Sequence, residues 1–447
     1  MSFPYLPLTD EDRREMLQAL GLRSIEELFA QIIPEDARFQ GTLDLPPALS
    51  ELEVRRHVES LAQRNQENLV LFLGGGVYDH YIPAAVKHIV SRSEFYTAYT
   101  PYQAEVSQGT LQAMYEFQSV LCDLTGMDVA NSSMYDGATA LAEAALMSLR
   151  IQRKRHRILY SEDLNPLYRR VLHTYTHRQD LEIVEVPTDP VTGQMDLNFV
   201  EDHLDEHTAA LLFQHPNYFG VLEQPFQLRE LTARVGALLV VAFDPISLGI
   251  LEPPGAYDAD IAVGEGQPLG LPLGYGGPYL GLFTAKEKYL RQMPGRIAGA
   301  TVDAEGKRGF VMALQTREQH IRREKATSNI CTNQMLCALT ALVYLSLMGK
   351  EGLREVAHQA TQKAHYLAQR LTELPGVRLA YQGPFFREFV LEFAQVPARQ
   401  VRDALLKHGV VFGHPVAEHR LLVAVTEKRT REEMDFVVDR LQEVVTP

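Results

Sequence analysis

The chain has 447 residues, 46% of them hydrophobic and 22% charged, with 43 basic against 57 acidic side chains and a formal charge of −14. This is the composition of an ordinary globular protein, and at roughly 150 residues per domain the length allows about three domains, or one large domain with satellites. The acidic balance argues against a dedicated nucleic-acid binder, which needs basic surface to neutralise phosphates. The three cysteines, Cys122, Cys331 and Cys337, match no zinc or Cys-x-x-Cys spacing and fit a reducing compartment without disulfides. The N-terminus is charged too early for a signal peptide, and no apolar run of about 18 residues reads as a membrane span. A cytoplasmic location is the expectation.

Residues 1–68 read as a helical arm. Thr9 and Ser24 each stand three positions before an acid, Asp12 and Glu27, as N-caps do. Leu17, Leu20, Ile25, Leu28, Phe29 and Ile32 form an amphipathic stripe that needs cover. Residues 69–330 read as a large α/β domain. Apolar runs at 69–76, 157–161, 181–186, 209–214, 237–243, 260–264 and 279–285 alternate with helical stretches, the pattern of a mostly parallel sheet covered on both faces. Residues 331–447 read as a smaller α+β domain. It opens with a helix over 333–347 and continues through the runs VRLAY, REFVLEF, VVFG and LLVAV to a final helix after Thr430.

Several segments carry residues suited to chemistry. FYTAYTPYQAEVSQG (95–109) gathers tyrosines, threonines, Glu105 and Ser107 in one turn-rich stretch, as the wall of a pocket or an interface does. In SSMYDGATALAEAAL (132–146), a glycine opens a small-residue helix whose free N–H groups suit an anion. Asp136 at the cap position satisfies those groups itself and repels a phosphate, which favours a structural cap. The basic run RIQRKRHR (150–157) reads as a solvated helix end. Asp244, just after an apolar strand, stands at a carboxyl edge where α/β sheets bind ligands. It can hold a protonated ring nitrogen, or it is a turn aspartate before Pro245. GEGQPLGLPLGYGGPYLG (264–281) holds seven glycines in eighteen residues without forming a nucleotide-binding motif. REQHIRREKATSNICTNQ (317–334) reads as a helix with a cationic end followed by a Thr/Ser/Asn cap, or as a grip for an anion.

In this order, YTPYQAEVSQGTLQAMYEFQ, MDVANSSMYDGATALAEA, QHPNYFGVLEQ, ADIAVGEGQPLGLPLGYGGPYLG and TREQHIRREKATSNICTNQ resemble the P-protein family of the glycine cleavage system, in its two-subunit, first-subunit form. The likeness covers nearly the whole chain. It implies the fold-type-I architecture of pyridoxal-phosphate-dependent transferases: an arm, a large mostly parallel α/β domain and a small C-terminal domain. It also implies a non-lysine-bearing subunit of glycine dehydrogenase (decarboxylating). With a second, lysine-bearing subunit in an α2β2 assembly, that subunit decarboxylates glycine and passes the aminomethyl group to the lipoyl group of H-protein. Pyridoxal phosphate is then held covalently by the partner and not by this chain.

The resemblance places the cofactor lysine at Gln267, and no lysine occurs between Lys154 and Lys286. An amide cannot form an imine. Asp136 replaces a phosphate-binding serine, and Asn165 stands where the family usually has histidine. Asp136, Gly137, Asp244 and Gln267 are therefore expected to be a vestigial cofactor site with no catalytic residue and no metal. The lining that this chain lends to the partner's site is expected from Tyr96, Tyr99, Tyr102, Glu105 and Ser107, with Asn217, Ser328 and Asn329. Glycine has no side chain, so a pocket must recognise it through polar contacts such as these. The competing readings are a stand-alone pyridoxal-phosphate enzyme, against which the missing lysine counts, and a non-catalytic scaffold.

Overall fold

The computed structural model describes residue 5, residues 7–39 and residues 41–446. The chain forms two compact units, Met1–Glu67 and Asn68–Pro447.

In the first unit the helices Asp10–Ala19, Ile25–Ile32 and Glu51–Ala62 each start at a side-chain cap. Thr9 and Ser50 form capping boxes with Asp12 and Glu53, and Ser24 accepts from the Glu27 N–H. None of these helices buries a residue, and Leu20, Phe29, Ile32, Leu45 and Val58 stand exposed. Local capping, not a core, specifies these helices.

The second unit is built on a seven-stranded sheet in the order Val129–Ala130, Gly281–Ala285, Ile261–Glu265, Leu238–Phe243, Thr208–His215, Arg157–Ser161, Glu182–Val186. The strands from Ile261–Glu265 to Glu182–Val186 run parallel, and the first two in that order are antiparallel additions at one edge. Alternate residues serve opposite faces. Leu159, Leu211, Phe213, Leu239 and Val241 enter one core; Ile158, Tyr160, Ala210, Leu212, Val240 and Ala242 enter the other. A sheet buried on both sides explains the continuous apolar runs. The helix Gln108–Thr125 covers one face and ends at Gly126 in the left-handed region (φ +66°), and Gly137–Ile151 covers the other.

The C-terminal part has a four-stranded antiparallel sheet in the order Val377–Leu379, Glu388–Phe393, Arg420–Ala424, His414–Ala417. One expectation is corrected here. The run at 69–76 does not join the large sheet. Only Val70–Leu71 is a strand, paired with Val410–Val411, and Phe72 sits in the C-terminal core. Gly75 and Gly76 then turn at positive φ towards the site. The helix expected over 333–347 starts at Met335 and breaks at Gly349, which takes φ +57° and ψ −171°; a second helical stretch continues beyond it to Thr372. Taken as one, the span Met335–Thr372 is long and apolar enough to pass for a membrane crossing, but half of the apolar stretch is buried inside the fold, as in a core helix.

Candidate functional site

The loops leaving the carboxyl ends of the parallel strands meet the segment 74–81 and residues 387–388 of the C-terminal sheet. The sequence-expected residues Asp136, Gly137, Asp244 and Gln267 come together there, with Asp136 Oδ1, Gly137 N, both carboxylate oxygens of Asp244 and both amide atoms of Gln267 engaged within the chain. Gln267 is fully buried. Its Oε1 accepts from Tyr78 N at 2.9 Å, and its Nε2 donates to Tyr78 O at 3.0 Å and Leu271 O at 2.9 Å. The amide thus clasps both backbone groups of Tyr78. Asp244 is both the turn aspartate and an ion-pair partner. Oδ1 accepts from Ile246 N at 3.0 Å, while Oδ2 lies 2.6 Å from Nη2 of Arg387.

Arg387 is 1% exposed and lies with its guanidinium carbon 3.6 Å from the Tyr78 ring centroid. Burial works against its charge, but Asp244, Tyr78, Glu388 and Glu427 outweigh that and keep its pKa raised. Tyr78 donates to Glu388 Oε2 at 2.7 Å, and Glu388 Oε1 accepts from Gly75 N at 2.6 Å. Arg387 therefore occupies the cationic role opposite Asp244 that a protonated ring nitrogen would fill.

The helix N-terminus at Gly137 is filled as well. Asp136 caps it through Thr139 N at 2.7 Å. Glu265 accepts from Gly137 N at 3.0 Å, Gln267 N at 2.9 Å and Leu280 N at 3.0 Å. Burial pushes the Glu265 carboxyl up to about 7 although these three N–H groups pull it down. A Cβ on Gly137 would run into the Tyr168 hydroxyl, so this turn has to be glycine. Beside Asp244, between Tyr78, Tyr168 and Pro268, the remaining void is about 20 Å³. That is room for little more than a water molecule. A cofactor ring and its phosphate do not fit this space, and the donors that would hold a phosphate are spent on carboxylates.

Outside this plug a cleft of about 460 Å³ opens among Gly76, Val77, Asp136, Asn165, Tyr168 and Tyr279. Asn165 caps the helix Pro166–Thr176 through Leu167 N at 2.9 Å and donates to Gly75 O at 2.7 Å. In this chain the residue is a brace between the helix and the glycine turn.

The tyrosine-rich segment is different in kind. Tyr99 is 88% and Tyr96 69% exposed, Glu105 is exposed and Ser107 half-buried. Tyr102 is held by Arg296, whose Nη2 donates to its hydroxyl at 3.1 Å and to Cys331 O at 2.7 Å, while Nη1 reaches Asn333 Oδ1 at 3.3 Å. Arg296 therefore ties the segment around Tyr102 to residues 331–333. Sequence reading missed it, and it missed Arg387. The signal for Arg387 was a charged pair, Arg387-Glu388, opening a strand that is otherwise apolar inside; for Arg296 there was none.

Two expectations change. The structure does not bring Asn217 to the tyrosine-bearing face: it is 1% exposed and braces its own turn, donating to Gly193 O and Glu223 Oε1 at 2.8 Å. Thr327-Ser328-Asn329 does not open a helix. The next helix starts at Met335, and Ser328 Oγ accepts from Ile330 N at 3.1 Å in an irregular stretch, with Asn329 exposed beyond it. The basic residues before it are partly consumed: Arg317 donates to Gly295 O at 2.7 Å and to Met293 O, and Arg322 to Thr316 O at 3.0 Å. Backbone carbonyls won these guanidinium groups because the chain here lacks regular structure to satisfy them. In the run at 150–157, Arg153, Lys154 and His156 are exposed just past the end of the helix Gly137–Ile151, as a solvated helix end is, while Arg155 is drawn to Thr208 O at 2.7 Å and Arg157 to Glu182 at 2.7 Å and Asp205 at 2.6 Å. Among the described residues no cluster of histidine, cysteine or carboxylates is arranged for a metal.

Comparisons with known proteins agree over the full length. The family described as Glycine cleavage system P-protein matches residues 4–441. The probable glycine dehydrogenase (decarboxylating) subunit 1 of Chloroherpeton thalassium is 53% identical, over 99% of this chain and 100% of its own. A crystal structure of glycine decarboxylase (P-protein) of the glycine cleavage system, in inhibitor-bound form, superimposes with a TM-score of 0.91 at 44% identity, covering 99% of this chain and 100% of that one. The glutamate decarboxylase of Lactobacillus brevis shares the fold alone, with a TM-score of 0.69 at 14% identity over 92% of this chain and 96% of its own. The fold is that of pyridoxal-phosphate-dependent enzymes of type I, and that cofactor belongs to the family's chemistry.

Proposed function

This chain belongs to the glycine cleavage system P-protein family, and from that premise we infer that it is the subunit of glycine dehydrogenase (decarboxylating) that carries no cofactor lysine. It works with a second, lysine-bearing subunit, in an assembly we take to be α2β2. Together they release carbon dioxide from glycine and hand the aminomethyl group to the lipoyl group of H-protein. Pyridoxal phosphate, bound on the partner, supplies the electron sink for loss of the carboxylate.

The observation that carries this reading is the environment of Gln267. At the lysine position stands a buried amide whose oxygen and nitrogen are used up on Tyr78 and Leu271. Nothing there can form a covalent link to an aldehyde, and the adjoining space is plugged by the Arg387–Asp244 pair. What this chain offers instead is the face that carries Tyr96, Tyr99, Tyr102 and Glu105. We place that face against the partner's site, where hydroxyls and a carboxylate orient a small zwitterion and help to exclude water.

The test is carboxyl exchange between glycine and labelled bicarbonate, run on each subunit and on the mixture. Exchange in the mixture, with none from this chain alone at any cofactor concentration, is the expected result. Exchange catalysed by this chain alone contradicts the proposal.

A further inference from the structure

Arg296 is 5% exposed. Its backbone carbonyl is fixed by Ser132, which donates from N at 2.8 Å and from Oγ at 2.7 Å. From that anchor the guanidinium reaches Tyr102, Cys331 O and Asn333. A guanidinium only donates. The Tyr102 oxygen is therefore the acceptor in its 3.1 Å contact with Arg296, and the phenolic proton is directed elsewhere. The ring is bracketed, with the Arg296 guanidinium carbon 5.5 Å and the His320 ring 5.7 Å from its centroid. Among the described residues nothing accepts the Tyr102 proton, and the side chain is 47% exposed. A tyrosine in solvent can present either a donor or a lone pair; this one is held as a donor facing outward.

We propose that Arg296 is a positioning residue that presents Tyr102 as a hydrogen-bond donor to an anionic oxygen in the partner's site, either the carboxylate of glycine or the phosphate of the cofactor. The inference rests on the function proposed above. It accounts for a buried arginine that gathers three otherwise separate segments around one half-exposed hydroxyl.

The test uses the reconstituted two-subunit enzyme and the variants Tyr102→Phe, Arg296→Lys, Arg296→Met and Tyr102→Phe/Arg296→Met, each checked for assembly by size-exclusion chromatography. Two quantities are read: KM for glycine in carboxyl exchange, and Kd of the cofactor-free complex for pyridoxal phosphate by absorbance titration. Tyr102→Phe and Arg296→Met are each expected to raise one of the two by roughly tenfold, the scale of a hydrogen bond to a charged group. The double variant is expected to match Tyr102→Phe within about twofold, because a residue acting through Tyr102 has nothing further to lose. A rise in KM identifies the carboxylate, a rise in Kd the phosphate. Arg296→Lys keeps the charge without the planar fork and is expected to retain most of the defect; it carries the cycle if Arg296→Met does not assemble. Losses that multiply in the double variant overturn the positioning role. A Tyr102→Phe complex with KM and Kd both unchanged overturns the reading of the face itself, and with it this inference.

Discussion

Two regions of this molecule carry the residues that an enzyme site needs, and they use them oppositely. Around Gln267 every such group is turned inward: Asp244 is paired with Arg387, the helix N-terminus is filled by Asp136 and Glu265, and Gln267 clasps Tyr78. At the other region Arg296 holds Tyr102 from behind, and Tyr96, Tyr99 and Glu105 on the same segment are exposed. The difference lies in where the polar groups find their partners. Buried charges need partners, and around Gln267 the fold itself supplies them, whereas around Tyr102 the outward side is left to solvent.

The sharpest way to break this contrast is to unpair the plug. Arg387→Met leaves Asp244 without its cation and removes the guanidinium stacked on Tyr78. Breaking one partner of a buried pair costs about 3–5 kcal/mol, and a large fall in melting temperature is expected. Adding Asp244→Asn should restore part of it. A melting temperature within about one degree of wild type for Arg387→Met would mean that the pair is incidental.

Restoring the lysine tests the same region more gently. Gln267→Lys takes the acceptor from Tyr78 N and puts an ammonium where a neutral amide fits. The expected loss is about 1–3 kcal/mol, with no visible absorbance band from an imine at millimolar pyridoxal phosphate. An imine band would show that the plug yields to a cofactor.

The plug was not foreseeable residue by residue. The strands, the caps at Thr9, Ser24 and Asp136, and the Gly126 stop were legible because period and capping are local properties. The resemblance pointed to Gln267 as a lost lysine. The sequence did not show that Arg387, some 140 residues beyond Asp244, would close on it, because that pairing is made only when the C-terminal sheet meets the large one. The same holds for Arg296, which reaches Tyr102 across almost 200 positions. Thr327-Ser328-Asn329 misled for the opposite reason: its composition is that of a helix cap, yet the helix starts at Met335. Local chemistry proposed a start that tertiary packing did not use.

A smaller effect follows from acidity. Burial raises Glu265 and Glu388 to about 7 from a carboxyl's ordinary 4.5. The folded state then binds more protons than the unfolded one between those values, so this contribution to stability is present below pH ~4.5 and is lost as pH rises through ~7. Unfolding free energy measured from pH 5 to pH 8 should fall by about 2 kcal/mol per carboxyl, with the melting temperature following it, and Glu265→Gln should flatten the slope. An unchanged slope in that variant would assign the pH dependence to other groups, such as the buried Asp163, raised to about 6.

The smallest effect on stability belongs to the open face. Glu105→Gln, on an exposed side chain, should move stability by less than about 0.5 kcal/mol. On our reading it lowers exchange activity several-fold in an intact complex; wild-type turnover there would count against a role for the carboxylate.

The most direct measurement is to reduce the assembled, cofactor-loaded enzyme with borohydride and weigh the two subunits separately. The account predicts that the cofactor's mass is fixed to a lysine of the partner, and that this chain keeps its unmodified mass. Stoichiometric reduced cofactor on a peptide of this chain would contradict it.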